Sequence, residues 1–175
     1  MSRMSRALVA LAGLLAGSAC LAADPGDDLL ATYRDYSINA ERDRPIRCKP
    51  GDVERFPART MAQVFGDAWP AQPTPLTTHR PAEAIGPGTM VSPRGLESQF
   101  GLVTVATLVG RSGRVLQVEP ICMTSASFAI AAKRAARTAR YQPALVNGEP
   151  VTSVAMQVYV FRPAAGKPQR SSQHR

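Results

Sequence analysis

Between residues 100 and 162 the spacing of the apolar residues changes from two to helical and back to two, an order that few folds accommodate. Residues 102–109 are a β-rich run, Gly110-Arg111-Ser112-Gly113 makes a turn, and residues 115–119 resume the extended pattern. There Gln117 and Glu119 alternate with Leu116 and Val118, as on a half-exposed strand. Thr124-Ser125-Ala126-Ser127 offers several caps for an alanine-rich helix that runs to Arg140. Phe128, Ala132, Ala135 and Ala139 lie on one narrow face of it, where small side chains allow close approach to a sheet. Lys133, Arg137 and Arg140 line another face, beside Arg134. Tyr141-Gln142-Pro143 ends the helix, because the residue before proline leaves the α region. Asn147-Gly148 marks a tight turn into a last strand over residues 152–161. Val154, Met156, Val158 and Val160 share one side of that strand, and Ser153, Ala155, Gln157, Tyr159 and Phe161 the other. The order ββαβ predicts an α+β fold, a small antiparallel sheet packed by one helix.

The rest of the chain divides around this region. Six prolines between residues 70 and 93 predict an extended spacer over 70–92, either a linker or a strap across a surface. Residues 24–69 read as helical and irregular. Asp27 and Asp28 are N-cap candidates ahead of Leu29, Leu30, Tyr33, Tyr36 and Ala40, and Met61, Val64, Phe65 and Trp69 suggest a second short helix. With few large apolar side chains this segment makes a weak core alone and is expected to lean on the rest of the protein. Residues 93–163 form the main domain, and residues 164–175 read as a disordered basic tail.

Residues 1–23 have the layout of a secretory signal: Arg3 and Arg6, an apolar run over 7–16, then small residues ending at Ala22-Ala23 before Asp24. A retained membrane anchor and a lipoprotein tethered through Cys20 are the alternatives, and membrane contact is expected only in those two cases. Gly17-Ser18-Ala19-Cys20 resembles a lipobox, with Gly17 where that motif has an aliphatic residue. An exported chain that loses Cys20 keeps Cys48 and Cys122, an even number in an oxidising compartment, and a disulfide between them is expected over two buried thiols.

The net charge of +8 is concentrated at the C-terminal end, with +5 over 92–163 and +3 over 164–175. That field favours anionic partners. Nucleic acid is not expected, since the protein is read as exported and no stacking aromatics interleave with the basic residues. Catalysis is not expected either. His79 lies in the spacer and His174 in the tail, and residues 93–163 hold only the carboxylates Glu97, Glu119 and Glu149, at spacings unsuited to acid–base work or a metal. Cys122 has no histidine placed to activate it. Gly110-Arg111-Ser112-Gly113 leads into a strand and lacks the ending of a phosphate loop. No cofactor is implied.

Gly101-x-Val103-x-Val105, Gly113-Arg114-Val115, Ala139-Arg140-Tyr141-Gln142-Pro143-Ala144 and Asn147-Gly148-Glu149-Pro150-Val151, in this order, resemble the C-terminal domain of TonB-type energy transducers. The resemblance covers roughly residues 93–162. It implies a periplasmic protein-interaction module whose final strand pairs with an extended segment of an outer-membrane, TonB-dependent receptor, in support of transmembrane transport. On this chain it maps the pairing strand to Val154, Met156, Gln157, Val158, Tyr159, Val160 and Phe161, with the helix, Arg140 and Tyr141 as support behind it. Three departures bear on energy transduction. Residues 1–23 hold no histidine, residues 70–93 are short and nearly uncharged for a transducer spacer, and Ser92-Pro93-Arg94-Gly95 stands where the family has Gln-Pro-x-Tyr-Pro. An inner-membrane-anchored transducer held by residues 7–23 is the alternative reading.

Overall fold

A computed structural model describes residues 42–48, 58–72, 76–86 and 88–163, all within one unit, Tyr33–Arg175. Its centre is a three-stranded antiparallel sheet of β3 (Gly101–Val109), β4 (Val115–Met123) and β8 (Ser153–Phe161), in the order β4-β3-β8. The hairpin between β3 and β4 closes where the Gly110 amide donates to the Arg114 carbonyl, with Gly113 at φ +79.

β4 runs to Met123, past the expected end at Glu119, and carries Pro120 inside it. β4 lies at a sheet edge, where a missing N–H need not break a ladder. The register against β3 shifts there, Thr104 facing Cys122 and Val105 facing Pro120.

Helix α2 (Ala126–Thr138) packs on one face of the sheet. Phe128, Ala129, Ala132, Ala135 and Ala136 are buried against Val103, Val105, Val118, Met123, Tyr159 and Phe161. Gly101 leaves room for this packing, since a Cβ there would fall 2.4 Å from the Phe128 ring. The helix stops two residues before the expected end. Ala139 is already extended, at φ −71 and ψ 156, and Arg140 belongs to the next strand. The backbone from Arg140 onward is drawn into strand pairing instead.

Three short strands between α2 and β8 were not foreseen: β5 (Arg140–Gln142), β6 (Ala144–Val146) and β7 (Glu149–Val151). β6 and β7 form a hairpin around Asn147 (φ 52) and Gly148 (φ 85), the turn marked by Asn-Gly in the sequence. The proline-rich segment runs along this region as a strap. Its β1 (His79–Arg80) pairs with β6 and its β2 (Glu83–Gly86) with β5, both antiparallel. The Asn147 side-chain oxygen accepts from Thr77 and Thr78 amides at 3.0 Å each. The strap then passes close over the end of α2, where the Thr89 amide donates to Thr138 Oγ1 at 3.1 Å. A Cβ at Gly88 would fall 1.8 Å from the Ala135 carbonyl oxygen, so this crossing requires glycine.

On the opposite sheet face lies a clip made of residues 42–48 and 58–69. A single bridge joins Ile46 to Arg59, and α1 (Met61–Phe65) follows. The Thr60 hydroxyl accepts from the Gln63 amide, and the Gln63 side chain accepts from the Thr60 amide, a capping box that fixes the start of this one-and-a-half-turn helix. Ile46, Met61 and Phe65 are buried against Ala106, Leu108, Ile121, Cys122 and Val154. Trp69 stacks on Phe65 at 5.9 Å, and the buried Arg42 guanidinium sits 4.3 Å from the Trp69 ring. The Cys48–Cys122 disulfide fastens the clip to β4. The helix expected after Asp27 and Asp28, the signal region with Cys20, and the basic tail lie outside the described residues.

Candidate partner-binding edge

The two edges of the central sheet are built differently. β4 carries Pro120, two shifts of register against β3, a Glu119–Lys133 ion pair at 3.2 Å and the disulfide. Proline, bulges and charges are the devices by which proteins blunt an open sheet edge. β8 has none of them. Its nine residues, SVAMQVYVF, hold no proline, glycine or charge, and they pair with β3 without a shift from Gly101↔Phe161 to Val109↔Ser153. Among the described residues no strand pairs with the outer side of β8. An edge strand in an antiparallel ladder turns the N–H and C=O of alternate residues away from its neighbour, so β8 holds a row of backbone groups with no strand partner among the described residues.

The side chains of β8 divide as the alternation requires. Toward α2, Ser153, Ala155, Tyr159 and Phe161 are buried, and the Phe161 ring lies 4.9 Å from that of Phe128. Toward the clip, Val154 is buried and Met156 packs against the same cluster. Beyond the clip the face opens: Val160 is half-buried and Val158 is 43% exposed.

Gln157 stands apart from both groups. It is half-buried on the α2 side, and its Oε1 accepts from the Tyr141 hydroxyl and, at 3.1 Å, from the Tyr159 hydroxyl. The Tyr141 hydroxyl also lies 3.1 Å from the Ala136 carbonyl and 3.3 Å from Thr107 Oγ1. One phenol thus ties together the end of α2, the central strand and the edge strand, and it satisfies the fully buried Thr107 hydroxyl. Burial raises the pKa of both tyrosines, and each stays a neutral donor throughout the physiological range.

Residues 96–163 match the family described as Gram-negative bacterial TonB protein C-terminal. This part of the chain is therefore similar to a TonB C-terminal domain. No curated protein and no solved structure matches the chain. Domains of this family act in protein–protein interaction in the Gram-negative envelope.

Within the matched span, all seven residues assigned to the pairing strand lie on β8. Their side chains are not equally available: Val154, Tyr159 and Phe161 are buried, Met156, Gln157 and Val160 are half-buried, and of the seven only Val158 is exposed. Tyr141 supports β8 as expected, though from β5 and not from the helix. Arg140 is exposed on β5, and its side chain lies across Gly86. The sequence reading missed the part Gln157 plays, since a glutamine in an alternating strand looks like a solvated position. It also missed how far the clip covers the second face. Among the described residues no group of histidine, cysteine, aspartate and glutamate could hold a metal ion, and no helix is long and apolar enough to cross a membrane.

Proposed function

We propose that this chain is a periplasmic interaction protein that binds an extended segment of a partner by adding it as a strand to β8. The partner is an outer-membrane receptor segment, and the complex serves receptor-linked transport. One observation carries this reading: of the two edges of the sheet, β4 is blunted and β8 is left unbroken in register, uncharged and unpaired among the described residues. A nine-residue edge of this kind promotes aggregation unless a partner uses it. Affinity then comes from main-chain hydrogen bonds, which suits a strand whose own side chains are mostly committed to the fold. The chain acts without catalysis, and the family it resembles points the same way.

The test is photo-crosslinking in living cells, with a benzoylphenylalanine placed at Val158 on the open edge or at Ile130 on the outer face of α2. An adduct from Val158 that maps to an extended receptor segment, with none from Ile130, supports the reading. The reverse pattern overturns it and moves the partner to the basic helix face. The mass of the native N-terminus decides the location: a chain beginning at Ala23 or Asp24 has been released by signal cleavage, whereas an intact Met1 indicates the anchored form.

A further inference from the structure

The side chains around the middle of β8 constrain what an added strand can be. Gln157 Oε1 is held by two tyrosine hydroxyls, which fixes the carboxamide. Its Nε2 carries two N–H donors and has no hydrogen-bond partner among the described residues, yet it is not sealed from solvent. The flanking residues, Met156 and Val158, point to the opposite face of the sheet, where Met156 borders the clip and Val158 is 43% exposed. A residue paired directly opposite Gln157 places its side chain beside that amide, about 4.5–5.5 Å away between Cβ atoms. Its two neighbours then lie beside Met156 and Val158.

We infer that the segment accepted by β8 carries the pattern aliphatic–acceptor–aliphatic, with an oxygen-bearing side chain beside Gln157 and branched aliphatic side chains beside Met156 and Val158. This rests on the strand-addition reading above and adds to it a rule of selection. Backbone pairing alone takes any extended chain. The fixed amide favours a strand that brings it an acceptor, because a donor desolvated without one is costly. The apolar pair disfavours polar neighbours, which would cover Val158 and Met156 without burying apolar surface of their own.

The experiment uses the oxidised full-length protein and three labelled nine-residue synthetic peptides with identical flanks and the central triplets Val-Asp-Val, Val-Leu-Val and Ser-Asp-Ser. Affinity is read by fluorescence anisotropy, and the site by amide shifts along β8. The expected result is that Val-Asp-Val binds most tightly, with each of the others weaker by roughly three- to tenfold. Gln157→Glu keeps an acceptor for both tyrosines and replaces the amide donor with a second oxygen. It is expected to invert the order of Val-Asp-Val and Val-Leu-Val while leaving the melting temperature close to that of the parent. Equal binding of all three peptides at β8 overturns the selection rule and leaves strand addition standing. An unchanged order in Gln157→Glu overturns the part assigned to Gln157. Failure of every peptide to shift β8 contradicts strand addition, and the selection rule falls with it.

Discussion

The two faces of the central sheet are closed by different means. On one face the cover is α2, which follows β4 directly in the chain and lies wholly within the family-matched span of residues 96–163. On the other it is a clip whose Ile46, Met61 and Phe65 stand well before that span. A disulfide between positions 74 residues apart holds it in place. The difference shows that the family-matched span, residues 96–163, does not contain its whole core. Ala106, Leu108, Ile121 and Val154 share a buried cluster with an upstream segment.

This contrast predicts unequal losses. Phe128→Ala removes a fully buried ring from the face the fold depends on, and is expected to cost about 3–5 kcal/mol. Phe65→Ala is expected to cost less, because the clip can lift from the sheet without unfolding the domain. Thermal or denaturant unfolding of the two variants checks this, and equal losses would mean that the clip is as integral as the helix.

Reduction of Cys48–Cys122 tests the clip as a unit. A loop of this length contributes about 4 kcal/mol in the chain-entropy model. Reductant is therefore expected to lower the melting temperature by several degrees and to open residues 42–72 to protease before residues 96–163. A reduced protein that melts and digests like the oxidised one would show that packing alone holds the clip.

A smaller effect sharpens the helix side of the comparison. Ala135 is fully buried with its carbonyl against Gly88, so Ala135→Leu is expected to overpack the interface and cost about 1–3 kcal/mol. Arg137→Ala, on the exposed side, is expected to stay within about 0.5 kcal/mol. The opposite ranking in denaturant titrations would contradict the packing of α2.

The helix face was legible in the sequence because its signals are local. Alternation over residues 152–161, the helical spacing from Phe128 to Ala139 and the Asn147-Gly148 turn each describe contacts made by neighbouring elements. The clip was legible only as a segment that needed support. Met61 and Phe65 announce an apolar face, but nothing in a pattern of this length names the sheet they cover. Cys48 and Cys122 were the one long-range signal, and the disulfide they form confirms that reading. The short strands of the proline-rich strap were hidden for another reason. Two- to four-residue strands have no period to detect, and their pairing with β5 and β6 depends on a neighbour some 60 residues away. At the candidate site the strand and its two sides were readable from alternation. The network through Tyr141 and Gln157 was not, because it joins three elements through side-chain atoms that propensity does not register.

The central claim is that β8 is an open edge awaiting a strand, and amide hydrogen exchange along that strand tests it most directly. In the free protein, alternate amides of β8 are expected to exchange quickly between slow ones bonded to β3. On addition of a bound extended peptide, the fast set is expected to become protected while β4 and α2 keep their free-state rates. Uniform protection of β8 before any peptide is added, or new protection on β4 or α2 in its place, would contradict the account.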